Sequence, residues 1–402
     1  MITYDEALDT AISAAASIRK QAVSVPLIDA VGFVLAKDIV SDADMPPFNR
    51  AVADGYAVRA ADIANSPAEL ELTGTVRAGA VSAMAVGPRQ AARIMAGAPV
   101  PAGADTVVRL EDTECGGGKV AVNVSLPKGI GIARRGEDVK KGETVLPAKT
   151  RITPAMLGLL GAAGAASVSI YRPPRAVVIT TGGELAKISE VPAPGLVRDA
   201  NALILSALLQ DMGIKFADAG IVRDDIKELR PAVREGLKSD VLLVSGGVSA
   251  GEQDVVPRAF EAEGVKALVH KISARPGKPL YVGRKGDTLV FGIPGNPVST
   301  FAVFEMIIKP VLLTLVGNTR NRPSFIKATF ASGRARGDER EQMLPGILSA
   351  GEGLPTAKTA EWHGSGDMKG LAQANCFIKI PAGTNPPVDG DIVEAHPFGA
   401  FR

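Results

Sequence analysis

Residues 240–254 read Asp240-VLLVSGGVSAGEQD. Val241-LLV is an apolar run without polar alternation, the mark of a strand buried on both faces. Gly246 and Gly247 then let the backbone turn sharply and come close to a ligand. Asp254 stands where the next helix begins, because Pro257 is tolerated only in a helix's first turn. Strand, glycine turn, polar residues and helix start make the loop with which an open α/β sheet holds a ligand at the carboxyl end of a strand. On these residues alone Ser249 and Asp254 have two readings, ligand contacts or helix caps.

The text around this loop alternates strand and helix from the Pro-rich boundary at Arg172-PPR onward. Strands are predicted at Ala176-VVIT, Phe216-ADAGIV, Val241-LLVS, Lys266-ALVHKIS, Pro279-LYVGR and Thr288-LVFGI. Helices are predicted from Asn201 to Gly213, Asp225 to Lys238, Val255 to Glu263 and Val298 to Val316. Parallel strands joined by helices predict a doubly wound sheet. Upstream, Leu70 to about Val145 is β-like, with short apolar runs and many glycines, as in a small barrel or sandwich. Within it, 87–105 lacks strand alternation and reads as a loop. From about Ser324 to the end the text is again β-like. The fold class expected is α/β plus β, in several domains.

Composition narrows the function classes. With 402 residues the chain exceeds one hydrophobic core. Its 45 basic and 43 acidic residues leave a net charge of +2, against general binding to nucleic acid or a membrane surface. Cys115 and Cys376 are the only cysteines, with no CxxC pattern, which fits a reducing cytoplasm. The N-terminal stretch reads as an amphipathic helix rather than a signal peptide: Thr3 and Glu6 have capping-box spacing, and Leu8, Ala11, Ile12, Ala15 and Ile18 share a face. Ile152 to Tyr171 is uncharged over twenty residues. Its Ala, Gly and Ser content and Pro154 predict a packed helix joined to a strand, not a membrane span.

Each crossover of the α/β part brings acidic or hydroxyl groups to one edge of the sheet: Glu184, then Asp224 and Asp225, then Ser245, Ser249 and Asp254. Gly182, Gly183, Gly246 and Gly247 leave backbone N–H groups free for phosphates. Carboxylates beside such amides suit Mg²⁺ on a phosphorylated substrate. Asp225, with Glu228 three residues on, reads as a capping-box start, which frees Asp224 to project. In His270-KISARPGKPLYVGR an extended backbone puts Lys271, Ser273 and Arg275 on one face, with Lys278 after the Pro-Gly turn. Such a strip reads as an oxyanion receptor or a solvated face. Gly292-IPGNPVS adds exposed amides and a helix N-terminus suited to an anion. Asp54, in Asp54-GYA, reads alone as an ordinary turn.

Together these stretches resemble the molybdopterin molybdenumtransferase (MoeA) family, which includes the E domain of gephyrin. The motifs that carry the resemblance, in family order, are Pro47-FNRAVADGYAVR, Ile94-MAGAPVPAGADTVV, Arg135-GEDVKKGE, Val178-ITTGGEL, Asn201, Ile221-VRDD, Ser245-GGVSAGEQD, Arg275-PGKP and Gly292-IPGNPVS. The last eighty residues match more loosely, through Gly364-SG and Asn375-CF. The resemblance implies an elongated subunit: a linking domain over 1–44 and 143–172, an inserted β domain over 45–142, an α/β domain over 173–318, and a C-terminal β domain over 319–402. It implies a homodimer with a shared cleft, working in the cytoplasm with Mg²⁺. The implied reaction inserts molybdate into adenylylated molybdopterin and releases AMP. Possible partners are an adenylyltransferase and a molybdoenzyme.

Position by position, Asp54, Glu184, Asp224 and Asp254 fall on the family's functional acids. Asp224 and Asp254 are the expected metal ligands. Lys271, Arg275 and Lys278 fall on its basic stretch, Pro294, Gly295 and Pro297 on its proline-rich loop, and Ser365 on its C-terminal serine. Ser245, Ser249 and the four glycines complete the expected binding set. There are departures. Ala51 and Ala53 replace the usual Ser and Met, Ala96 a Thr, Arg275 a Lys, and Pro345 a second Arg. Ala96 and Pro345 leave a pterin-binding carrier with impaired catalysis as one alternative to the transferase, and the resemblance of the α/β domain alone to the adenylyltransferase family leaves a molybdopterin adenylyltransferase as another.

Overall fold

The computed structural model describes residues 1–79, 83–248, 254–333, 337–351 and 353–399; Ser249 lies outside them. The chain gathers into two compact units. One holds Met1–Val23, Gly32–Ala36 and Ser169–Arg402, the other Ser24–Val31 and Lys37–Val168.

The first unit is built on six strands: β1 (Ala176–Thr181), β2 (Phe216–Val222), β3 (Val241–Ser245), β4 (Lys266–His270), β5 (Tyr281–Lys285) and β6 (Thr288–Ile293). Their order is β2-β1-β3-β6-β5-β4. The first four run parallel, while β5 and β4 are antiparallel to their neighbours. The doubly wound sheet is therefore mixed, parallel over four strands and antiparallel at one end. The reason is local: Lys285 pairs with Thr288 across a two-residue turn through Gly286 (φ +58°), a connection too short for a parallel crossover.

Helices cover both faces. Val241 and Leu243 pack with α1 (Tyr4–Ala16), α2 (Asn201–Asp211) and α5 (Pro297–Leu315). Leu242 and Val244 pack with α3 (Ile226–Gly236) and α4 (Val255–Ala262). A period-2 backbone with apolar residues at every position requires this two-sided cover. The capping box of α1 forms as read, with reciprocal bonds between Thr3 and Glu6. Although α5 is long and apolar enough to cross a bilayer, most of it is buried in the core. Its middle turn, Phe304–Ile308, is π-helical; Tyr4 donates to the Met306 carbonyl there, at 2.6 Å. Burial would raise the carboxyl pKa of Glu305 in that turn, but His396 and Lys309 hold it below the ordinary glutamate value.

The C-terminal strands are β7 (Ile326–Ser332), β8 (Glu341–Ser349), β9 (Thr356–Thr359), β10 (Cys376–Ile380) and β11 (Ile392–Pro397). They pair in the ring β8-β9-β7-β11-β10, and β10 pairs back to β8, which closes a barrel and removes its edges. A short helix, α6 (Met368–Gln373), was not foreseen.

The second unit centres on a six-stranded sheet in which Gly55–Val58, Gln90–Ile94 and Ala68–Val76 are consecutive neighbours. Gln90–Ile94 corrects the loop expected over 87–105. Ala91 and Ala92 are both buried, each in a different core cluster, so the strand shows no polar alternation. Ile152 to Tyr171 folds as helix Pro154–Ala162 and strand Ser167–Tyr171, as expected.

Candidate active site

A cleft of about 500 Å³ opens at the carboxyl edge of the sheet, lined among others by Gly182, Glu184, Asp224, Gly246, Gly247 and Pro294. The glycine turn after β3 is sterically required. Gly246 has φ +98°, and a Cβ there would lie 2.0 Å from the Thr181 carbonyl oxygen. At Gly247 (φ +61°) a Cβ would lie 2.9 Å from Asp224 Oδ1. Gly183 and Glu184 are exposed beside this turn. Pro297 opens α5, so a long helix starts at the cleft and directs its N-terminal amides there.

Asn201 holds the floor. Its Nδ2 donates to Ser245 Oγ at 2.9 Å and to the Gly295 carbonyl at 2.7 Å, fastening the end of β3 to the β6–α5 loop. Beside it, the buried Asp199 accepts from Thr180 Oγ1 and, at 3.1 Å, from Ala202 N. Asn201 entered the sequence reading only as part of a motif, and Asp199 was missed. The available signal was an Asp-Ala-Asn start to an apolar helix.

The two carboxylates assigned to a metal share one electrostatic neighbourhood. Asp225 caps α3 by accepting from Lys227 N at 2.6 Å. Glu228 does not return a bond to Asp225 but engages Arg223 at 3.5 Å, so Asp225 caps the helix without the expected capping box. Asp224 is left to the cleft, its Oδ1 accepting from Thr181 Oγ1 at 3.4 Å. Asp254 stands at the N-cap position of α4 yet makes no side-chain capping bond. Burial raises its carboxyl pKa above the ordinary aspartate value; Lys271 and His270 oppose the shift, and Asp224 adds to it. Among the described residues no three His, Cys, Asp or Glu side chains are grouped to hold a metal unaided.

The cationic strip is arranged differently from the single-face expectation. Strand β4 ends at His270, and Lys271 takes a left-handed conformation (φ +68°) that breaks the extended alternation. Arg275 belongs to a two-residue strand, Ala274–Arg275, that pairs with β8 of the barrel. Its guanidinium reaches Asp338 Oδ2 at 3.1 Å, and Arg340 grips the same carboxylate. These guanidiniums, Arg340 first, hold the Asp338 carboxyl well below the usual carboxylate range. Arg275 and Lys278 of the strip, without Lys271, nevertheless line a cleft. A cavity of about 240 Å³ is lined by Arg275, Lys278, Arg340 and Ser365, and it shares Pro279, Pro294 and Asn296 with the sheet-edge cleft. Ser365 Oγ accepts from Asn296 Nδ2 at 2.7 Å, and the Ser365 carbonyl from Val298 N at 3.1 Å. Asp54 lies in the second unit, where its Oδ1 accepts from Ala96 N at 2.8 Å.

Fold and site define a class: doubly wound α/β proteins with an acid-and-glycine cleft at the carboxyl edge, a cation-lined cleft beside it and an appended β-barrel. Family models match along the chain: "MoeA N-terminal region (domain I and II)" over residues 2–164, "Probable molybdopterin binding domain" over 177–314, and "MoeA C-terminal region (domain IV)" over 327–398. The chain belongs to the molybdopterin molybdenumtransferase (MoeA) family. It is 33% identical to the molybdopterin molybdenumtransferase of Bacillus subtilis over 96% of this chain and 93% of that one. It is 34% identical to molybdopterin molybdenumtransferase 2 of Mycobacterium tuberculosis, over 89% and 91%. A solved structure of the molybdopterin biosynthesis MoeA protein from Pyrococcus horikoshii superposes with a TM-score of 0.83 at 31% identity, covering 100% of both chains.

Proposed function

We propose that this chain inserts molybdate into adenylylated molybdopterin, releasing AMP and the molybdenum cofactor. One observation carries the reading: an acid-and-glycine cleft and an oxyanion-sized cationic cleft share a wall of Pro279, Pro294 and Asn296. A nucleotide-linked substrate in the first cleft thereby has its metal-accepting end beside an oxyanion in the second. The glycine amides after β1 and β3 and the start of α5 hold the phosphates. Lys271, Arg275, Lys278 and Arg340 hold molybdate and offset charge at the phosphoanhydride. Glu184 positions the dithiolene end or a water.

Mg²⁺ fits the donor set, since it takes one or two carboxylates and fills its shell with phosphate oxygens and water. Asp224 and Asp254 would hold it, and it supplies neutralisation of phosphoanhydride charge when bound. Homodimerisation with a cleft drawn from both subunits, a cytoplasmic setting and the four-part division at 45, 143, 173 and 319 belong to the same reading.

The adenylyltransferase and carrier alternatives are not favoured, because the likeness to named molybdenumtransferases runs over 96% of the chain, both β portions included. The test is AMP release from adenylylated molybdopterin with Mg²⁺ and molybdate. Release that depends on molybdate is expected. Tight binding without turnover, or turnover of unmodified molybdopterin with ATP, overturns the proposal.

A further inference from the structure

A third cleft, of about 630 Å³, opens on the barrel and is lined by Trp362, Glu361, Gln373, Ser332 and Lys358 among others. Trp362, the chain's only tryptophan, lines this cleft and the cationic cleft alike. The cationic cleft in turn shares its other wall with the sheet-edge cleft. The three therefore run in series: barrel cleft, cationic cleft, sheet-edge cleft.

We propose that the barrel cleft is the subsite for the pterin ring, with Trp362 as its stacking surface and Glu361 as its hydrogen-bond acceptor. This rests on the function proposed above, and it fixes the direction in which the substrate lies. Adenylylated molybdopterin has the same serial order, with a bicyclic pterin at one end, the dithiolene next, and the phosphoanhydride and nucleotide at the other end. Setting the dithiolene against Arg275, Lys278 and Arg340 leaves the pterin only the side bounded by Trp362.

The chemistry of the lining agrees. A heteroaromatic ring stacks on an indole face, and such stacking tolerates many ring systems. Trp362 is half-buried and packs on the barrel core, which limits its freedom. Its main chain is held close to α6: a Cβ on Gly370 would lie 2.6 Å from Trp362 Cβ. Stacking alone does not distinguish pterin from adenine; Glu361 does. A pterin presents an amino group and an adjacent ring N–H, a donor pair that matches the two oxygens of a carboxylate, whereas adenine has no such pair. Glu361 is exposed at the cleft and pairs with no cation among the described residues, while Ser332 and Gln373 offer further donors and acceptors.

The sole tryptophan makes the proposal directly readable. In the full-length protein, hydroxymethylpterin is expected to quench tryptophan emission saturably, while AMP and molybdate leave it unchanged. By equilibrium dialysis Trp362→Phe retains pterin binding, whereas Trp362→Ala and Glu361→Gln each weaken it by about tenfold, as loss of a stacking surface or a charged acceptor does. AMP binding is unchanged in all three. In the AMP-release assay, Glu361→Gln raises KM with kcat largely kept. Pterin that fails to quench, or wild-type pterin affinity in both Trp362→Ala and Glu361→Gln, overturns the assignment. Absence of AMP release from the wild-type protein would instead sink the proposed reaction, and the dialysis result would still decide the pterin subsite.

Discussion

Arg275 Nη1 donates to Asp338 Oδ2 at 3.1 Å, across the junction between the sheet's hairpin and the barrel. Arg340 binds both oxygens of the same carboxylate, also at 3.1 Å. Asp338 thus sets negative charge against two arginines of the cleft proposed for an anion, yet it fixes both guanidiniums in place. In a solvent-open cleft the charge term is small, on the order of 1 kcal/mol, and positioning outweighs it. Asp338→Asn is therefore expected to weaken molybdate binding about tenfold, although it removes an opposing charge. Isothermal titration with molybdate checks this, and tighter binding in the variant would show that Asp338 acts only as a counter-charge.

Asp254 sets the pH behaviour. Burial raises its carboxyl pKa and Asp224 adds to the shift. A raised acid favours its neutral form, so its contribution to stability is full below the ordinary aspartate value of about 3.9 and is lost as pH rises through the folded-state value. Above that folded-state value the ionised side chain costs stability. Asp254→Asn should unfold at an equal or higher temperature while AMP release falls by about 100-fold or more. Asp224→Asn should move the acid limb of the pH–rate profile downward, since it removes the repelling charge. Full activity in Asp254→Asn would take this residue out of the reaction.

The loop glycines separate fold from function. A Cβ on Gly246 would lie 2.0 Å from the Thr181 carbonyl oxygen, at φ +98°. Gly246→Ala should cost about 3 kcal/mol from strain and overpacking together. At Gly295 the nearest atom to an added Cβ is Gly246 Cα at 3.7 Å, an ordinary contact. Gly295→Ala should leave the unfolding midpoint within about 0.5 kcal/mol of wild type but raise KM, because a methyl group then stands where the ligand approaches. Chemical denaturation and initial-rate kinetics on the two variants distinguish these effects.

What was legible in the chain follows from the range of the forces involved. Apolar runs and Gly or Pro punctuation are local, so β1, β2, β3 and β6 and the starts of α3 and α4 stood where expected. The cationic strip was misread because one left-handed residue, Lys271, cancels a period-2 argument, and no local pattern announces it. The pairing of Arg275 with Gln342 of β8 spans too much chain to leave a sequence period. Asp338 was unrecognised for the same reason: it matters through two arginines, one of them 63 residues away. The antiparallel end of the sheet was legible in Gly286-Asp287, a turn signal that the alternation of strands and helices outweighed.

Asn201 is the clearest case of a long-range residue, since its bond to the Gly295 carbonyl joins positions 94 residues apart. That carbonyl accepts only, so the side-chain nitrogen must face it, and the same nitrogen serves Ser245 Oγ. Its Oδ1 is buried and has no hydrogen-bond partner among the described residues. Replacing the amide by a carboxylate keeps the shape but sets an oxygen against the carbonyl. Asn201→Asp should therefore cost about 3 kcal/mol or more, through a buried charge and an acceptor facing an acceptor. Asn201→Ala loses the same donor without adding charge, and should cost roughly 1–2 kcal/mol. Both should lower kcat/KM for AMP release by loosening the tie between the end of β3 and the β6–α5 loop, the Asp variant more. An Ala variant less stable than the Asp variant would mean that packing volume, not hydrogen-bond polarity, governs this position.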